Sequence, residues 1–161
     1  MTAEVKKMKK ILLAVVLMFS LSLCFTACKP SIPPAEPGEK VISVYILNQN
    51  DEVVFSIKDY DTDAEYFDGV LAELKSKGKI TWESVPSIYG KNTTNLCGIA
   101  VTGTNYFGFF SNDDDLSDNS GWMPNYTMDG VEYKPTNWGI SSMPIKDGKT
   151  YILVYTVYTV S

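Results

Sequence analysis

Residues 151–160 read Tyr-Ile-Leu-Val-Tyr-Thr-Val-Tyr-Thr-Val, with neither glycine nor proline in the run. β-branched and aromatic side chains favour the extended backbone, and here both alternating sets are largely apolar. A strand of this kind cannot lie at a wetted edge. It predicts a central strand. The rest of the chain therefore has to supply neighbouring strands and at least one element to lie across them.

One helix is predicted. Thr62-Asp63-Ala64-Glu65 has the form of a capping box, Phe67, Val70, Leu71 and Leu74 recur at helical spacing, and Gly78 suits the left-handed residue that ends a helix. This places the helix over 63–77. Strands are expected on both sides of it. Val41–Leu47 and Val53–Lys58 flank the turn cluster Asn48–Glu52 and form a hairpin. Ile80–Val85 and Leu96–Val101 follow, with Tyr106–Phe110 as a partner for the latter. Asp129-Gly130 is a two-residue hairpin turn between Met123–Met128 and Val131–Lys134, and Asp147-Gly148 marks a further turn. Strands, one helix and more strands make an α+β domain whose mixed, mostly antiparallel sheet carries the helix on one face.

The N-terminus carries an address. Lys6, Lys7, Lys9 and Lys10 precede an apolar run from Ile11 to Phe25, the length of a signal-peptide core and short of the roughly 20 residues that span a bilayer. Met8 opens a more compact leader, so both Met1 and Met8 suit as the start. The run ends Phe25-Thr26-Ala27-Cys28, which resembles a bacterial lipobox, with Phe25 in place of the usual Leu. That pattern implies cleavage of residues 1–27 and acylation of Cys28, with a palmitate-type anchor on the extracytoplasmic face of the cell membrane. Residues 28–40 hold four prolines and read as an extended linker. Residues 41–161 are then one domain.

Charge and composition narrow the function. Without the leader the net charge moves from −5 to −8, and every basic residue is Lys. An acidic surface without guanidinium groups argues against nucleic-acid binding. The chain has no His, which removes Ser-His-Asp and Cys-His catalysis and His-based zinc sites. Cys97, alone in the domain, reads as a small apolar residue rather than a nucleophile. Neither catalytic residues nor a cofactor are implied, and the chain is expected to be a non-enzymatic binding module. The acidic stretch Asp113–Asp118 is dense in hard oxygen donors but lacks the spacing of a calcium loop; it reads as a solvated loop. The aromatic residues Trp122, Tyr126, Tyr133 and Trp138 suit either sheet packing or a stacking surface. Trp122, Tyr126 and Trp138 are the candidate ligand contacts.

With Tyr89-Gly90, Trp122 ahead of the Asp129-Gly130 hairpin, Gly139, Ile145-Lys146-Asp147-Gly148-Lys149 and the strand Tyr151–Tyr155, this order of elements resembles the transcobalamin C-terminal-like domain family of bacterial lipoproteins, a family of unknown function. Asp129 stands for the family's Asn, Lys149 for its second acid, and Pro124 interrupts the strand after Trp122. The resemblance implies a β-grasp-like domain. A related domain in vertebrate cobalamin carriers covers one face of the corrinoid, so a flat ligand of that kind is the expectation, with a partner protein as another occupant. The alternative is a structural or adhesive surface domain that contacts proteins or cell-wall polymer. The anchor has a direct test: cells fed a palmitate analogue should label the parent chain and leave a Cys28→Ala variant unlabelled, and equal labelling would refute it.

Overall fold

The computed structural model describes residues 34–157 apart from Tyr89, Asn119 and Trp122. The leader, Cys28 and most of the linker lie outside the described residues. Among the described residues nine strands and one α-helix are formed: β1 (Lys40–Leu47), β2 (Val53–Thr62), α1 (Phe67–Ser76), β3 (Trp82–Ser87), β4 (Gly90–Leu96), β5 (Ile99–Ala100), β6 (Asn105–Ser111), β7 (Tyr126–Met128), β8 (Val131–Pro135) and β9 (Thr150–Val157). Six of them form one sheet in the order β2-β1-β9-β6-β8-β7, and β3-β4-β5 form a second, smaller sheet. β9 is central, as its two apolar faces require. It runs parallel to β1 and antiparallel to β6, so the sheet is mixed and the domain is α+β.

The alternation along β9 divides the core in two. Tyr151 and Leu153 face α1 and join Phe67, Val70, Leu71 and Leu74 in the larger cluster. Ile152 and Val154 face the other way and meet Leu47, Phe110 and Tyr133. The Phe67 ring lies 5.6 Å from Tyr151 and 6.5 Å from Phe109, which seats the first turn of the helix on β9 and β6.

The helix starts later than its sequence suggests. No side chain caps it. Thr62 instead donates to Glu73 Oε2 at 2.8 Å and accepts from Ala64 N. Residues 65–67 run alongside 143–145, with Tyr66 bridged to Pro144. The free N–H groups of Phe67 and Asp68 donate to the carbonyls of Met143 and Ile140, so a distant loop does the work of the expected capping box. The C-terminus agrees with the sequence. Gly78 has φ +67°, and the bonds Lys79 N to Leu74 O and Gly78 N to Lys75 O form a Schellman motif.

The middle of the chain differs most from expectation. Leu96–Val101 is not a strand: Cys97 and Gly98 take φ 53° and 80° and turn the chain between β4 and β5. Cys97 N and Gly98 N both bond to Thr81, through its carbonyl and its hydroxyl. β6 therefore pairs with β9 and β8 rather than with this segment. The polar strand β4 had no hydrophobic alternation to betray it. Asp129 and Gly130, at φ 52° and 77°, make the expected hairpin, although β7 covers only Tyr126–Met128.

The acidic stretch is not a solvated loop throughout. Asp113 and Asp118 are buried, at 3% and 8% exposure. Asp113 caps the 3-10 turn Asp114–Leu116 through Asp115 N, and Asp118 accepts from Ser120 N and Oγ. Asp113 Oδ2 accepts no hydrogen bond within the described residues, yet it lies 3.3 Å from Lys146 Nζ. Its charge is compensated by that ammonium, which also meets Asp115 at 2.6 Å. Removing one partner of a buried pair strands the other. Because Lys146 is partly exposed, Lys146→Met should cost about 2–3 kcal/mol, below the figure for a fully buried pair. The Asp115 bond holds Lys146 above its ordinary 10.5, and the same contact holds Asp115 below its ordinary 3.8. The Asp115 contact's part of that contribution is thus complete between those values. It fades as acid protonates Asp115 below the lower one or as base titrates Lys146 above the upper one. Urea midpoints of parent and variant against pH should show a gap that is flat between these limits and narrows outside them; a gap independent of pH would contradict the assignment.

Candidate functional site

A groove of about 300 Å³ lies between the small sheet and the large one. Its floor comes from β6, where Phe107 and Phe109 alternate onto the face of the larger core cluster, with Val101 and Ile140 beside them. Its wall comes from β4, through Lys91 and Thr93. These two share a face by strand alternation, and the register shift of β3–β4 between Glu83 and Ser84 turns that face to the side of Trp82. Trp82 Nε1 donates to Thr93 Oγ1 at 3.2 Å, and Lys91 Nζ stands 5.5 Å over the Trp82 ring.

One end of the groove is polar and electrically balanced. Lys91 Nζ meets Asp68 Oδ2 on α1 at 2.9 Å. Ser141 Oγ donates to the same oxygen and accepts from Lys91 N. The approach is close: a Cβ on Gly90 would sit 2.6 Å from Ser141 Cβ, and Gly90 has φ +105°. Only glycine suits that position on both counts. Two larger hollows have a different character. One, of about 620 Å³, runs between α1 and β3 past Lys75, Ser76, Glu83 and Ser84. The other, of about 640 Å³, collects Glu39, Asp61, Asp63 and Glu73 around Lys77. The second is walled by charged and hydroxyl groups and the first adds only Ala72 and Trp82 to such groups, whereas the β4–β6 groove joins a continuous apolar floor to a few placed polar atoms, the usual make-up of a small-molecule site.

Of the aromatic residues singled out in the sequence, Tyr126, Tyr133 and Trp138 do not line this groove. Tyr126 packs on the opposite sheet face, its ring 5.4 Å from Phe110. Its hydroxyl donates to Asp51 Oδ1 at 3.3 Å and is held above its ordinary value, chiefly by burial. Trp138 packs against the larger cluster and reaches the groove only through its neighbours Gly139 and Ile140. Tyr133 is core, and Trp122 and Cys28 lie outside the described residues. The groove residues Lys91, Thr93, Phe107 and Phe109 were not legible as a set. The alternation of Phe107 and Phe109 was the available signal for the floor, and nothing local indicated which strand would face it.

No family model matches the chain, and no curated protein matches it. Among solved structures, the fold is similar to that of a protein from Ruminococcus gnavus ATCC 29149 described as a "putative metal binding protein", with a TM-score of 0.50 and 18% identity over 74% of this chain and 99% of that one. At that identity the likeness concerns the fold alone.

Cys97, in the turn between β4 and β5, is half-buried, and burial pushes its thiol up to about 11. The thiolate is the reactive form, so the group is inert near neutrality. Its alkylation by iodoacetamide should rise close to tenfold per pH unit through pH 10 and level only near pH 11. A plateau at pH 8 to 9 would show an ordinary exposed thiol instead.

Proposed function

We propose that this chain is a non-enzymatic binding module that captures a small, ring-bearing molecule in the groove between β4 and β6. The observation that carries the reading is the groove itself: a phenylalanine floor, one wall of placed polar atoms and a polar end whose charge is already cancelled. Such a site rewards an apolar ring and gives little to an ion. The lipobox-like Phe25-Thr26-Ala27-Cys28 supports a cell-surface location, with residues 1–27 removed, Cys28 acylated and 28–40 spacing the domain from the membrane. No helix among the described residues is long and apolar enough to cross a membrane.

The strand order β2-β1-β9-β6, with a hairpin first, a helix crossing next and the last strand parallel to β1, supports a β-grasp-like reading and membership of the transcobalamin C-terminal-like family. A corrinoid is the larger version of the ligand. About 300 Å³ lies at the small end of ligand sites, so a corrinoid would lie across the mouth with one edge inside. The description of the structural neighbour raises a metal ion as another ligand class; among the described residues no three Asp, Glu, Cys or His side chains are grouped to hold one. A structural or adhesive role is the second reading. It is favoured by the edge strand β2, where Val53 and Val54 are 50% and 42% exposed and one backbone edge pairs with no other strand among the described residues, an arrangement that can add a strand.

The test is a thermal-shift screen of ring compounds on the detergent-solubilised full chain, with Phe109→Ala beside the parent. A ligand at 100 times its dissociation constant adds about 2.7 kcal/mol of stability. At least one ring compound should raise the parent's melting temperature by several degrees and lose most of that effect in Phe109→Ala. If no compound acts, or if the variant responds as the parent does, the groove is not the binding site.

A further inference from the structure

The polar atoms of the groove say more about its ligand than its shape does. A threonine hydroxyl has one proton to give and lone pairs to receive. Thr93 Oγ1 receives from Trp82 Nε1. The indole can only donate, and Trp82 is 6% exposed, so its direction is set by the core. The remaining capacity of Thr93 is its own proton, which is donated to none of the described residues. Thr93 is half-buried and lines the groove. The proton is therefore offered to whatever lies on the phenylalanine floor.

The charges point the same way. Lys91 is the cation of the groove wall, and it is held by Asp68 at 2.9 Å, with Ser141 supporting that carboxylate. An anionic ligand would meet a Lys91 charge already compensated by Asp68, and a cationic one an Asp68 charge already compensated by Lys91. Either would also place its charge beside Phe107 and Phe109, where desolvation is costly.

We infer that the groove selects an uncharged, flat-ringed ligand that bears a hydrogen-bond acceptor, a ring carbonyl or its equivalent, bound by the Thr93 hydroxyl. This rests on the groove being the binding site and adds the chemical class of what it takes. A single neutral hydrogen bond of this kind is worth about a two- to tenfold difference in affinity.

The test uses two molecules with one skeleton, indole and oxindole, which differ by the carbonyl. Equilibrium dialysis is run against the full chain in detergent micelles, with detergent alone as the blank and with Thr93→Val and Thr93→Ser beside the parent. Thr93→Ser keeps the hydroxyl and guards against a folding defect in Thr93→Val. Oxindole should bind the parent and Thr93→Ser about two- to tenfold more tightly than indole, and the ratio should fall to one in Thr93→Val. Equal binding of the two by the parent, or a preference that survives in Thr93→Val, overturns the inference while leaving the groove as the site. Tighter binding of indole-3-acetate than of oxindole overturns the requirement for an uncharged ligand. If none of the three binds, the inference falls together with the reading of the groove.

Discussion

The burial of β9 on both faces is the constraint from which the rest of the molecule follows. Its side chains alternate between two apolar clusters, so each face needs its own cover. One is supplied by α1 and the other by the ends of β1, β6 and the β7–β8 hairpin. Tyr151 shows how tightly this is held. Its ring is wholly buried, its hydroxyl accepts from Lys146 N and donates to the Pro144 carbonyl, and burial pushes that hydroxyl well above its ordinary value. A phenol in the core is tolerated because both of its polar capacities are met.

The segment from Gly139 to Lys146 then ties the layers together. It carries no strand or helix of its own, and its backbone and side chains are used almost throughout. Ile140 and Met143 supply the carbonyls that begin α1. Ser141 holds Lys91 and Asp68 at the end of the groove. Pro144 pairs with Tyr66, and Lys146 compensates the buried Asp113. One irregular loop thus fixes the start of the helix, one end of the candidate site and the acidic turn. Asp147 and Gly148 continue the role by bonding both backbone groups of Val41 at the start of β1.

The groove is a consequence of two sheets meeting rather than of any motif. Phe107 and Phe109 belong to the large sheet, Lys91 and Thr93 to the small one, and Asp68 and Ser141 to a helix and a loop between them. A bulge in β4 and the absence of a side chain at Gly90 bring these parts close enough to define one hollow. That is why neither Tyr126 nor Trp138 lines it. Tyr126 and Trp138 are drawn into clusters on opposite faces of the large sheet, where apolar burial outweighs any tendency to stack together at the surface.

Local chemistry was sufficient for the parts of this protein whose preference is written in neighbouring residues. The double-sided run of β9, the β1–β2 hairpin, the apolar stripe of α1, its end at Gly78 and the Asp129-Gly130 turn could all be read from the chain, because backbone propensity and short-range alternation decide them. The tertiary structure alone decided where the partners lie. Thr62 forgoes its capping role because Glu73 and a distant carbonyl pair satisfy the same groups better. Leu96 to Val101 bends because Thr81 receives both N–H groups of the Cys97-Gly98 turn. β4 becomes a strand although its side chains are polar, since β3 and β5 complete its backbone hydrogen bonds. Parallel pairing of β1 with β9 joins residues about a hundred positions apart, and the site that results depends on distances that no local pattern encodes.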